Sequence, residues 1–221
     1  MCKPVQDEAS VTKHGNPRKP QGEAGAEMLA RMNRSHAEVT AWGISFLNLK
    51  PDDAVLDIGC GGGAALARMA ETVTAGHLTG IDYSAVSVQA ASAYNRDAVA
   101  AGRMEICSGS VEALPFADGS FDKIITVESF YFWPSPAENL REVRRVLKPG
   151  GIFLIVADIY GRDDLPQKTR DTIAEYGLYN PEPETFRSLL EQAGFDAVQI
   201  HLKDGTTWIC AEGSVRFGKA G

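Results

Sequence analysis

Between Val55 and Ala64 the chain reads Val-Leu-Asp-Ile-Gly-Cys-Gly-Gly-Gly-Ala. Glycines placed directly after an apolar run let the backbone turn tightly and approach a ligand with no side chain between them. Gly59-x-Gly61-x-x-Ala64 satisfies the dinucleotide-binding pattern, and Asp82 follows about 20 residues later, where an acidic residue would hold a ribose. On these two features a nicotinamide or flavin cofactor is a serious candidate. Asp57 weighs against it, because it lies two residues before the first glycine, at the mouth of any crevice there. A carboxylate in that place repels a pyrophosphate and suits an ammonium or a sulfonium. A glycine-rich turn can also be a mere flexible connection, and Asp82 a mere helix cap; the strand–turn–helix setting favours a ligand over both.

These residues need elements to position them, and the hydrophobic pattern supplies a regular alternation. Strands are expected at 54–58, 78–82, 104–107, 121–127 and 152–158. Helices are expected at 64–73, 85–101, 136–147 and 183–193, with a polar, partly helical stretch at 163–179. Ser135 and Pro136 mark one helix start, and Gly102 and Gly194 mark two helix ends. Two last strands, near 197–202 and 206–210, are separated by Lys203-Asp204-Gly205 and read as a hairpin. Apolar strands alternating with helices imply a mainly parallel, doubly wound α/β sheet of seven strands, Rossmann-like, with an antiparallel C-terminal hairpin strand. Ligands of such sheets bind at the carboxyl ends of the strands. Upstream, residues 1–22 carry prolines, glycines and charge with few large apolar side chains, the composition of a disordered tail. From Glu23 to about residue 50 the spacing of Met28, Met32, Val39 and Phe46 predicts a helical flap.

Composition narrows the function. The 221 residues carry 22 Lys plus Arg against 29 Asp plus Glu, a formal net charge of −7. That balance disfavours nucleic acid, whose binders draw affinity from basic residues. No apolar run approaches the ~20 residues of a membrane helix, and the first residues hold no apolar secretion signal. The four cysteines are far apart with no C-x-x-C pair, and no His/Cys/Asp group has metal-ligand spacing, so the expectation is a cytoplasmic protein with no metal.

Four blocks in order resemble the class I S-adenosylmethionine-dependent methyltransferases, in particular the small-molecule branch that includes the ubiquinone/menaquinone-biosynthesis type. They are Val55 to Gly63, Gly80-Ile81-Asp82-Tyr83-Ser84, Ala113 to Asp122, and Arg141 to Gly151. The resemblance spans about residues 35–212. It implies S-adenosyl-L-methionine as cofactor, with Gly59, Cys60 and Gly61 against its methionine part and Asp57 near its ammonium. Asp82 would accept both ribose hydroxyls, Tyr83 would pack on the adenine, and Ser110, Val111 and Glu112 would border the base. The family commonly has an Asp where this chain has Ser110, and a hydroxyl accepts more weakly than a carboxylate.

The acceptor side is read from Glu128-Ser129-Phe130-Tyr131-Phe132-Trp133-Pro134. No helix or strand buries four adjacent aromatics on one face, so some must line a crevice or meet a partner. Tyr131 and Trp133 are expected to shape the acceptor pocket, with Tyr160 as a further wall residue, while Phe130 and Phe132 equally suit packing under the flap. His36, on the flap face of Met28 and Met32, is either a core histidine or a base touching the acceptor. Glu128 is a second base candidate or a partner of the methionine ammonium, and Tyr131 completes the expected catalytic set. The segment lacks the Asn/Asp-Pro-Pro-aromatic signature of enzymes that methylate nucleobase amines. The expectation is in-line methyl transfer to a small molecule by one domain over residues 23–212, acting as a monomer or homodimer. Within it 23–50 form the flap and 158–182 a substrate-side insertion, and 213–221 are a second tail. The alternatives are an NAD(P)-dependent oxidoreductase and a catalytically silent S-adenosylmethionine-binding regulatory module.

Overall fold

Buried apolar strands flanked by amphipathic helices leave few ways to cover both faces of a sheet, and the chain adopts the doubly wound one. The computed structural model describes Thr12 and residues 14–216. Two N-terminal helices, α1 (Gly22–Ser35) and α2 (Ala37–Ile44), precede β1 (Ala54–Ile58), α3 (Ala64–Met69), β2 (His77–Asp82), α4 (Ala85–Tyr94), α5 (Arg96–Ala100) and β3 (Met104–Ser108). Then come β4 (Phe121–Val127), a 3₁₀ turn (Phe130–Phe132), α6 (Pro136–Val146), β5 (Leu147–Ala157), α7 (Gln167–Tyr176), α8 (Pro183–Gln192), β6 (Asp196–Leu202) and β7 (Ile209–Ser214). The sheet order is β3-β2-β1-β4-β5-β7-β6. β1 to β5 run parallel, and β7 lies antiparallel to both β5 and β6.

Chain order reverses direction between β1 and β4, and a ligand crevice opens at such a switch point. Register puts Asp57 beside Gly80 of β2 and Ile125 of β4. The glycine turn after β1 and Glu128 after β4 therefore emerge side by side. One core packs Leu56, Ile124, Phe153 and Phe186 on one sheet face; the other packs Val55, Leu66, Leu78 and Leu154.

Several boundaries differ from the sequence expectation. The flap is two helices, because the chain leaves helical geometry at His36 (φ −96°, ψ 8°). The expected 85–101 helix breaks at Asn95, whose side-chain amide donates to the carbonyls of Gly63 (2.9 Å) and Ala91 (3.0 Å) and so ties the helix to the glycine turn. The helix after that turn stops at Met69, not residue 73. β5 starts at Leu147 rather than Ile152, since Leu147 pairs with Phe121 and the Gly150 N–H donates to the Val215 carbonyl at 2.6 Å. The last strand is Ile209–Ser214, beyond the expected 206–210, with the turn residues Lys203 and Thr206 bonded to each other.

The expected tails divide. Residues 1–11, 13 and 217–221 lie outside the described residues, whereas Pro17 to Pro20 rest against the sheet's carboxyl end. Backbone acceptors and the buried Pro20 hold them: the Pro20 carbonyl accepts from Ser84 Oγ at 2.7 Å, and the Arg18 carbonyl accepts from the Tyr83 hydroxyl. No helix among the described residues is long and apolar enough to cross a membrane.

Candidate active site

A cleft of about 340 Å³ runs along the carboxyl ends of β1 and β4. One end is built by the glycine turn. Gly59 adopts φ +72°, and a Cβ there would lie 2.0 Å from Ser129 Oγ, so only glycine fits between the two strand ends. The N–H groups of Gly59 and Cys60 donate to the Ile81 carbonyl at 2.8 and 3.2 Å, pinning the turn to β2. The Gly62 carbonyl accepts from Asn33 of α1 at 3.0 Å, so the flap closes on the same turn.

Two carboxylates face this end. Asp82 Oδ2 accepts from Gly61 N–H at 3.1 Å, and Oδ1 accepts from Ser84 N–H at 2.9 Å. Burial raises its pKa, and the Ser84 and Gly61 N–H groups oppose the rise. Each oxygen keeps a lone pair for a ligand donor. Asp57 differs: it is 1% exposed, and neither carboxyl oxygen has a hydrogen-bond partner among the described residues. Burial first, and the Asp82 charge second, push it up to about 7. A bare buried carboxylate costs several kcal/mol unless a ligand or a proton meets it (roughly 1–3 kcal/mol for one unpaired neutral group, more for a charge).

The loop after β3 borders the same end. The Leu114 N–H donates to Glu142 Oε1 at 2.8 Å, and Arg145 of α6 donates to the Phe116 carbonyl and to Asp118 at 2.8 and 2.7 Å. Thus two of the recognised sequence blocks clamp each other and hold Ser110 to Glu112 at the cleft. Ser110 Oγ lies 3.1 Å from Glu112 Oε2 and accepts from Glu112 N–H at 3.2 Å, so a carboxylate stands beside the serine.

The other end is a cluster of four polar side chains. Glu128 sits at φ +53°, a left-handed conformation rare for residues with a side chain. Its Oε1 accepts from Asp158 N–H at 2.5 Å, and His36 Nε2 stands 4.0 Å from its Oε2. The Tyr131 hydroxyl donates to Asp158 Oδ1 at 3.2 Å and accepts from Ile159 N–H at 3.3 Å. Burial, reinforced by the Asp158 charge, raises Glu128 well above the usual carboxylate range. Burial also lowers His36 below its ordinary value, which keeps the imidazole neutral and able to accept a proton.

A family profile described as a methyltransferase domain matches residues 56–155, from the middle of β1 to the end of β5. Similar proteins include a sterol 24-C-methyltransferase of Gibberella zeae, 36% identical over 126 residues, which are 55% of this chain and 33% of that one. The methyltransferase YdaC of Bacillus subtilis is 26% identical over 177 residues, 78% of this chain and 88% of that one. Over β1 to β5 the chain is similar to the methyltransferase domain. It spans a third to a half of the length of most of the curated methyltransferases that it matches. The fold is shared with a methyltransferase from Aquifex aeolicus (TM-score 0.65, 19% identity, 94% of this chain and 98% of that one). It is shared too with human N-acetylserotonin methyltransferase solved with its cofactor (TM-score 0.72, 15% identity, 98% and 61%).

The methyltransferase site fits the family's cofactor on this chain's own geometry. Asp57 presents two orphaned oxygens suited to an ammonium, the glycine turn leaves no Cβ in the way, and Asp82 keeps acceptor capacity for hydroxyls.

Of the residues expected from sequence, Asp57, Gly59, Cys60, Gly61, Asp82 and Tyr83 line one end of the cleft, with Ser110, Val111 and Glu112 beside them. His36, Glu128 and Trp133 line the other. Tyr131 lies behind that wall, buried, with its hydroxyl reaching the cluster from below. Tyr160 is not brought there: it is buried in the core, and its hydroxyl accepts from Arg162 at 3.3 Å. The wall position goes to Phe132, in contact with the Arg18 guanidinium, 5.5 Å from its ring centroid. Asp158 and Arg18 escape the sequence reading. Asp158 follows the last residue of an apolar strand adjacent to β4, which is the one signal that could have found it.

Proposed function

We propose that the chain transfers a methyl group from S-adenosylmethionine to a small, largely apolar acceptor whose nucleophilic atom meets His36 and Glu128. The observation that carries this is the continuity of one cleft from the bare Asp57 carboxylate to the His36–Glu128 pair, on adjacent strand ends of the switch point. Bound S-adenosylmethionine supplies an electrophilic methyl on a positively charged sulfur. Asp57 takes the ammonium, Asp82 the ribose hydroxyls, and Ser110 with Glu112 the base edge, while the flap residue Asn33 keeps the turn closed. Tyr131 and Asp158 hold Glu128 in place, and neutral His36 accepts the proton of a hydroxyl or amine acceptor as it is methylated. Trp133 and Phe132 form the apolar wall along which the acceptor lies, and orienting it can supply up to ~7–11 kcal/mol of the barrier reduction.

The sterol, hydroquinone and fatty-acid methyltransferases among the similar proteins support an apolar acceptor. The net charge of −7 supports a substrate other than nucleic acid, and the free thiols of Cys60, Cys107 and Cys210 suit a reducing cytoplasm. The segment 158–182 backs the aromatic turn, the Tyr179 N–H donating to the Tyr131 carbonyl at 3.1 Å, which suits a substrate-side insertion. Thermal-shift titration with S-adenosylmethionine, S-adenosylhomocysteine and NAD tests the cofactor half: stabilisation by the first two is expected, and stabilisation by NAD alone overturns the proposal. Release of S-adenosylhomocysteine on incubation with an acceptor library separates an enzyme from a silent binding module.

A further inference from the structure

Residues 17–20 cross the mouth of the cleft. On the cofactor side they are fixed through the carbonyls of Arg18 and Pro20 to Tyr83 and Ser84. On the acceptor side the Arg18 guanidinium stands over the Phe132 ring, 5.5 Å from its centroid. Pro17 and Pro20 restrict φ at both ends of this bridge. Arg18 therefore reaches from the carboxyl end of β2 to the turn after β4.

Its charge is out of keeping with its surroundings. Among the described residues lining the cleft, Arg18 is the one Lys or Arg, against the carboxyl groups of Asp57, Asp82, Glu112 and Glu128. None of those carboxylates forms an ion pair with it; among the described residues the one ion pair inside the cleft joins Glu128 to His36. The contact with Phe132 restrains the guanidinium, whose fork of N–H donors can meet a carboxylate bidentately.

We infer that Arg18 selects acceptors that carry a carboxylate at the end remote from the methylated atom, with the apolar body lying along Phe132 and Trp133. This rests on the proposed methyl transfer and adds to it the chemical class of the acceptor. Among the described lining residues Arg18 supplies the one Lys or Arg charge that can meet such a carboxylate, beside the Phe132 wall.

The test uses the full chain saturated with S-adenosylhomocysteine and pairs of probes that differ only in charge: 4-hydroxybenzoate, 4-hydroxyphenylacetate and 4-hydroxycinnamate against their primary amides. Calorimetry is expected to show at least one acid binding roughly ten-fold tighter than its amide, the scale of one charge-assisted contact. Arg18→Ala should erase that preference and leave amide and S-adenosylhomocysteine affinities within about two-fold of the unmodified chain, and Arg18→Lys should retain part of it. An acid–amide ratio of one across the panel, or a preference that survives Arg18→Ala, overturns the inference alone. If Arg18→Ala instead weakens S-adenosylhomocysteine binding and spares the acid preference, Arg18 serves the cofactor and the inference is likewise overturned. Failure of S-adenosylhomocysteine to bind the unmodified chain overturns the methyl-transfer proposal, and this one with it.

Discussion

Asp57 and Asp82 face one cleft from neighbouring strands, yet Asp82 holds two backbone N–H groups while Asp57 holds none. The difference makes Asp57 the protonation-sensitive member of the pair. Its ordinary value of 3.8 is raised to about 7 by burial and by the Asp82 charge. Between those values the folded chain binds a proton that the unfolded chain has released. The associated stability is therefore full below about pH 4 and is lost as pH rises through about 7. Asp57→Asn should flatten that part of the melting-temperature profile, between about pH 4 and about pH 7. A cationic ligand group stabilises the ionised form, so S-adenosylhomocysteine binding at pH 6 should release a proton from the unmodified chain and not from the variant. Binding enthalpies independent of buffer ionisation enthalpy would contradict this.

Asp82→Ala removes the acceptor that fixes both the glycine turn and, in the proposed complex, the ribose. One or two charge-assisted hydrogen bonds, roughly 1.5–3 kcal/mol each, should disappear from cofactor binding. Calorimetric affinity for S-adenosylhomocysteine should drop by at least ~10-fold, and unchanged affinity would remove Asp82 from the ribose site.

Asp158 acts through its neighbours, and its charge raises both Glu128 and His36. Asp158→Asn takes that charge away, so both groups should titrate at lower pH. With His36 as base, the acidic limb of the kcat/KM profile should move to lower pH while the Tyr131 hydroxyl keeps a partner. A purely structural role would reduce turnover without moving the limb, which a pH series on one acceptor distinguishes.

The sheet and the cofactor end were legible because their signals are local: each glycine, acidic residue and apolar run falls at the boundary of an element. The acceptor end was half legible. His36 and Glu128 could be singled out by type, but Asp158 joins them only because β4 and β5 are adjacent and in register from Lys123 with Ile152 to Val127 with Val156. Tyr160, 29 residues after Tyr131, was expected at the wall, and the core claimed its ring. Composition missed residues 17–20 for a different reason. Their placement draws on carbonyl oxygens, which every residue carries and no side-chain pattern records, together with one buried proline. The helix break at Asn95 also involves a long-range partner, the Gly63 carbonyl, rather than Gly or Pro in the helix.

The backbone at Glu128 narrows what this position can become. In the left-handed region, Gly, Asn and Asp are the tolerated residues, and other L-residues cost of order 1–3 kcal/mol. Random drift there runs toward those three before any other side chain. None of them reaches as far as glutamate, so each would ease the main chain at the moment it withdrew the carboxylate from His36. Descendants of this sequence that relax position 128 should thus be more heat-resistant and slower, a trade written into one torsion angle.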